Sequence, residues 1–260
     1  MRLIQPMRRT IVVAALAGLA AIPAARAADH RYAVLSLVGD TINLVWWQPT
    51  TGSNIDHNER QDVPTADGAL DNAALLAVDD ALRRAKPKTN ATLLASRDPK
   101  LFALQAKLLD GGGDTGELLA AVQGLLRESQ ATRLILVTKH RGDARLPMRF
   151  EYAGSGKLTG LGFYIDKRMT VRDNDSGEAD RGFIAPYAYL ELALIDAQTM
   201  KPIRRSVVPQ ATTVATGSTK GALSPWQAMT TQEKSDALAR LIRQAVDRAM
   251  PAMPELLAAE

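Results

Sequence analysis

Leu134-Ile-Leu-Val137 is an unbroken apolar run that leads through Thr138 into the basic triplet Lys139-His140-Arg141. A strand without polar alternation is one covered on both faces, so this run predicts a central strand between two layers. The flanking segments supply those layers. Residues 69–86 place Ala74, Leu75, Val78, Ala81, Leu82 and Ala85 at helical spacing, with Asp71, Asp79, Arg83 and Arg84 read as the outward face and Pro87 as the stop. Thr92 to Ala95 reads as a short strand. Asp98-Pro99 caps a helix reaching Leu109, and Gly111-Gly-Gly113 ends it. Asp114 and Glu117 start another helix, whose apolar face is Leu118, Leu119, Val122, Leu125 and Leu126.

Further out, Tyr32 to Val38 and Thr41 to Trp47 predict two strands about a Gly39-Asp40 turn, followed by a polar surface loop over residues 49–67. After a loop at 140–145, Leu146 to Tyr152 and Leu158 to Ile165 predict a hairpin about Gly154-Ser-Gly156, then a charged excursion over 166–182. A second hairpin joins Tyr187–Ile195 to Ile203–Val208. In its first strand Ala188, Leu190, Leu192 and Leu194 share one face, and Tyr187, Tyr189, Glu191 and Ala193 the other. Thr230 and Glu233 can form a capping box for a last helix with the stripe Leu238, Leu241, Ile242, Ala245 and Ala249. The order ββ-α-β-α-α-β-ββ-ββ-α gives an α/β (α+β) class: one domain over 28–260, a mixed β-sheet with hairpins packed against several α-helices.

Composition narrows the chemistry. The chain has 260 residues, 46% hydrophobic, and no cysteine, which excludes disulfides, thiolate nucleophiles, zinc-thiolate sites and lipid attachment through a cysteine. Three histidines, His30, His57 and His140, are too few for a multi-histidine metal site, and no cofactor or metal is expected.

Residues 1–27 have the three parts of a secretory signal. A basic start runs to Arg9, an uncharged apolar run from Thr10 to Ile22, and Pro23 precedes the small-x-small site Ala25-Arg26-Ala27. Arg8-Arg9 also fits a twin-arginine route. The apolar run is shorter than the roughly 20 residues a membrane span needs. The expectation is a signal peptide cleaved after residue 27 and a periplasmic protein, with secretion as the alternative. Arg2, Arg8, Arg9 and Arg26 account for the whole excess of 32 basic over 28 acidic residues, so residues 28–260 are formally neutral. Nucleic acid, which demands a basic excess, is not an expected partner.

Leu192-Ala-Leu-Ile-Asp196 followed by Gln198-Thr199-Met200-Lys201-Pro202-Ile203 resembles a hairpin of envelope proteins, the TolB amino-terminal domain and the periplasmic domain of the curli-secretion lipoprotein. The resemblance implies a mixed sheet flanked by helices and assembly with other envelope components.

Candidate sites are set by side-chain chemistry. Lys139, His140 and Arg141 sit where the central strand ends, the usual place for ligands in open α/β sheets, and with Arg145 and Arg149 they suit an anion. Trp46 and Trp47 can contact a partner, although in a strand one ring of such a pair faces the core. Asp173, Asp175, Gly177, Glu178 and Asp180 alternate oxygen ligands as calcium loops do, without EF-hand spacing. Gly111 to Gly116 lacks the lysine and preceding strand of a phosphate loop. Ser36 lies in no nucleophile elbow. Gly160 and Gly162 share a strand face and admit close approach. Two functions are compatible with these residues. One is a non-enzymatic envelope protein used for interaction or assembly. The alternative is an enzyme or binder of a small anionic ligand at Lys139-His140-Arg141.

Overall fold

The computed structural model describes residues 30–49, 57–66, 68–172, 179–215 and 224–254. Strand β1 (Tyr32–Ser36) is buried at every position because it lies between two parallel neighbours, β4 (Ala91–Ala95) and β5 (Arg133–Lys139). The apolar run at 134–137 is therefore central, as its composition predicts. On the other side of β5 runs β10 (Ala179–Asp196), antiparallel, with Leu192 opposite Val137. The sheet also contains β2 (Thr41–Trp46), β3 (Glu59–Pro64), β9 (Lys157–Arg172) and β11 (Pro202–Ala211). The main path through the sheet is β3-β2-β9-β10-β5-β1-β4, and β11 pairs with β10.

Alternation in β10 decides which layer covers which face. Ala188, Leu190, Leu192 and Leu194 enter one core with helices α1 (Ala69–Ala85) and α4 (Thr231–Ala249). Ala193 and Ile195 enter a second, under α2 (Pro99–Leu109) and α3 (Thr115–Leu126). Tyr187 and Tyr189 enter a third cluster, next to Tyr164 and Phe183. The caps are those the sequence predicts. Asp98 accepts from the Lys100 N–H at 2.9 Å, Asp114 from the Gly116 N–H at 2.9 Å, and Thr230 and Glu233 complete a reciprocal capping box. The Asp196 bend of the second hairpin is also locally built. The Asp196 carboxylate accepts from the Thr199 N–H (2.9 Å), which with Thr199 Oγ1 and Arg133 holds it below the usual carboxylate range.

Several expectations are corrected. Strands β1 and β2 do not pair across Gly39-Asp40. β2 crosses to lie between β3 and β9, because β1 already has a partner on each edge. The polar segment 49–67 contains β3, whose charged residues suit a sheet edge facing solvent. Residues 146–153 form only the two-residue strands β7 (Leu146–Pro147) and β8 (Tyr152–Ala153), paired with each other rather than with β9. Much of the charged excursion is strand: β9 runs to Arg172 and β10 begins at Ala179.

The sheet forks at one point, and the candidate site lies there. β9 and β10 part at Gly160 and Tyr189, and the chain leaving β5 enters between them. The His140 N–H donates to the Tyr189 carbonyl (2.9 Å), and the Gly160 N–H donates to the His140 carbonyl (3.0 Å). Arg141–Asp143, expected to be loop, continues as β6 against β9. The paired glycines answer to this packing. A β-carbon at 160, where φ is +60°, would stand 2.7 Å from the Lys139 stem, and one at 162 would stand 1.8 Å from the Asn43 carbonyl oxygen.

Gly162→Ala is therefore expected to destabilise the protein by about 3 kcal/mol or more, since backbone cannot give way as a side chain can. Gly124→Ala, in the exposed interior of α3 with open space at its α-carbon, is expected to stabilise by about 0.5–1 kcal/mol. Urea unfolding of both variants checks the pair.

Candidate functional site

Ser36 is the last residue of β1; the Leu37 N–H still donates to the Val137 carbonyl (2.9 Å), and from the Leu37 carbonyl to the Gly39 N–H the backbone has no strand partner. Three backbone groups there need partners, and side chains from two helices provide them. Asp71, in the first turn of α1 and only 7% exposed, accepts from the Ser36 hydroxyl (2.5 Å), the Val38 N–H (2.8 Å) and the Gly39 N–H (3.1 Å). Burial raises the pKa of its carboxyl, while these bonds and the Lys139 charge oppose the rise. Gln105, buried on α2, donates Nε2–H to the Leu37 carbonyl (2.7 Å) and accepts the Lys139 N–H (2.7 Å). One amide thus ties α2 to the ends of both β1 and β5.

Lys139 closes β5. Its aliphatic stem crosses Gly160, and Nζ lies near Gly39 and Phe102. The carboxylates that act on it are Asp62, Asp71 and Asp40, and burial lowers its pKa against their influence. Among the described residues, Nζ has neither a hydrogen-bond nor an ion-pair partner. Two adjoining clefts, of about 300 and 360 Å³, share Lys139, Arg141, Gln105 and Leu109 as walls. The first has a floor of Leu118, Leu119, Leu136, Ala193 and Ile195 and carries His140, Glu191 and Arg205. The second is bordered by Asn43, Arg60 and Asp62, with Asn43 Nδ2 donating to Asp62 (2.8 Å).

The structure thus brings Lys139, His140 and Arg141 together around concave surface. Burial lowers the His140 pKa, and Glu191 opposes that, so the imidazole is neutral over a wider pH range than a free histidine. Arg141 donates to Asp110 (3.2 Å) at the mouth. Arg145 stands outside both clefts. It is exposed, and its backbone N–H donates to the Tyr189 hydroxyl (3.0 Å). Arg149 stacks on Phe150 (5.1 Å), 88% exposed, at the β7–β8 turn.

Trp46 and Trp47 point to opposite sides, as strand geometry demands. Trp46 packs on the core under α1 and α4. Trp47 packs on the tyrosine cluster, with the Arg168 guanidinium 5.8 Å from its ring centre. Both are half-buried and line a polar cleft of about 480 Å³ with Glu59 and Arg168. Asp173, Asp175, Gly177 and Glu178 of the calcium reading lie outside the described residues. Among the described residues no group of three or more His, Asp or Glu is placed to hold a metal. Ser36 serves Asp71.

Asp71, Gln105, Asp62 and Asn43 were not legible as site residues. For Asp71 a signal existed: it shares the buried stripe of Ala74, Leu75 and Val78 at helical spacing, yet its charge places it on the outward face. The structure corrects this for Asp79 too, which is 6% exposed and paired with Arg83 at 2.8 Å.

No protein-family model matches the chain, and no curated protein matches it. Solved structures give partial likenesses. A Xanthomonas campestris protein of the DUF330 family is 9% identical over 85% of this chain and 81% of its own, with a TM-score of 0.35. A Helicobacter pylori homologue of a neuraminyllactose-binding hemagglutinin is 8% identical over 88% and 84%, also at 0.35. A Caulobacter crescentus chain described as a lipoprotein is 13% identical over 62% and 99%, at 0.27. Scores at this level fall short of a shared fold. The TolB and curli-secretion likeness gains no support from these three.

Removing the Ser36 hydroxyl leaves a buried carboxylate oxygen short of a donor. Ser36→Ala is expected to destabilise by about 1–3 kcal/mol at neutral pH. That hydrogen bond lowers the folded-state pKa of Asp71, so it favours the charged form. The difference between variant and wild type is therefore full while Asp71 is ionised and shrinks as pH falls through its folded-state titration. Paired urea titrations at neutral and acid pH measure both the loss and its pH trend.

Proposed function

We propose that this chain is exported across the inner membrane and serves in the periplasm by binding, as a component of envelope interaction or assembly. The three-part leader at 1–27, whose arginines hold all of the net charge, carries this reading. The hairpin at 192–203, with its resemblance to envelope proteins, supports it. No helix of the described residues is long and apolar enough to cross a membrane. The half-buried Trp46 and Trp47 beside Arg168 are the proposed contact for an envelope partner, offering aromatic area next to a cation.

The second reading, a binder of a small anion at Lys139, His140 and Arg141, is favoured by one observation. All three residues line concave surface, and the lysine ammonium among them has no partner among the described residues.

Fractionation of the native host with intact-mass measurement tests export. The expected species comes from the periplasmic extract and begins after Ala27. A cytosolic species still carrying Met1 would overturn the reading. For the partner contact, Trp46→Ala with Trp47→Ala is expected to abolish partner capture from the same extract, and undiminished capture removes the tryptophans from the interface.

A further inference from the structure

We propose that the cleft between α2, α3 and the sheet takes an amphiphilic anion: a carboxylate or phosphate monoester group seated between Lys139 and Arg141, with a short apolar body lying over Leu118, Leu119, Leu136, Ala193 and Ile195. This ligand class rests on the anion-binding reading of the same cleft and narrows it.

The charge pattern fixes the end where the anion sits. The apolar-floored cleft has three cations on its wall, Lys139, Arg141 and Arg205, facing the single carboxylate Glu191, which lies 3.8 Å from Arg205. The adjoining cleft sets Asp62 and Asp110 against Arg60 on the wall it does not share, and Asp40 and Asp71 also act on Lys139. That unshared wall has an excess of carboxylate, whereas Glu191 and Arg205 balance on the other, so an anion is drawn to the junction, where Lys139 and Arg141 line both clefts. There it meets an ammonium with no partner among the described residues and a guanidinium engaged by one oxygen of Asp110 at 3.2 Å. A half-buried ammonium gains most from a charge-assisted hydrogen bond, because it has already lost much of its water.

The floor fixes the rest of the ligand. Leu118, Leu119, Leu136, Ala193 and Ile195 are buried by the protein yet border open space. A wholly polar anion would leave that space to water, whereas an apolar body removes it. At about 300 Å³ the cleft lies at the small end of ligand sites, which limits the body to a short chain or single ring. The anion's requirements are met by position: Gln105 fixes the Lys139 backbone, and Gly160 leaves a path for its stem.

Calorimetric titration of the purified chain at low ionic strength tests this with octanoate, octyl phosphate, acetate, inorganic phosphate and octylamine. Octanoate or octyl phosphate is expected to bind roughly tenfold or more tighter than its short counterpart, since each buried methylene adds affinity. The tighter of the two identifies the headgroup. Octylamine is expected not to bind. Lys139→Met keeps the stem over Gly160 and is expected to weaken octanoate roughly tenfold or more with an unchanged melting temperature. Ala193→Phe fills the floor and should erase the preference for octanoate over acetate while short anions still bind. Acetate binding as tightly as octanoate overturns this proposal and leaves the anion reading intact. No binding of any anion overturns both. Octylamine binding as well as octanoate, or Lys139→Met without effect, overturns the assignment of the headgroup to Lys139.

Discussion

Parallel strands that end inside a protein leave polar backbone groups with no ladder to join, and this molecule is organised around that problem. β1 and β5 run side by side and then diverge, freeing the Leu37 carbonyl and the N–H groups of Val38, Gly39 and Lys139. Each is met by a side chain from a helix, Asp71 from α1 or Gln105 from α2. These helices lie on opposite faces of the sheet, so the two residues set where both layers end relative to the strands. The clefts exist because α2 is held at that height, above the end of β5.

The fork in the sheet depends on the same ending. β9 and β10 are paired over most of their length, and the chain after β5 enters between them through His140. Insertion of a strand end between two partners needs a place with no side chain in the way, and Gly160 provides it. Lys139 then lies across that glycine, which puts its ammonium at the point where parallel strands, antiparallel ribbon and covering helix meet. The electrostatics are unusual for a structural lysine: several carboxylates influence it, and among the described residues none is in contact.

What the sequence discloses depends on the range of the interaction involved. The central position of 134–137, the two faces of β10, the helix caps at Asp98, Asp114 and Thr230, and the bend at Asp196 are written in residues a few places apart, and all are found. Pairing partners distant in the chain are not written that way. Gly39-Asp40 has the composition of a hairpin turn, yet β1 is already flanked by β4 and β5, so the same turn residues start a crossover. The site is half legible for the same reason. Lys139, His140 and Arg141 stand out by charge at a strand end, while Gln105 and Asp62 matter only through what the fold places beside them. Asp71 is the instructive case, because its spacing gives a buried face and its charge an exposed one, and spacing prevails where donors await.

The attachment of α2 has a kinetic meaning. Leu101 and Gln105 are its buried residues, whereas α4 buries seven. Backbone amides of α2 are therefore placed to exchange with deuterium through a sub-global opening, well before those of α4, and such an opening would release the Leu37 and Lys139 backbone groups together. Because one glutamine side chain makes both bonds, any displacement of that side chain releases the two strand ends together.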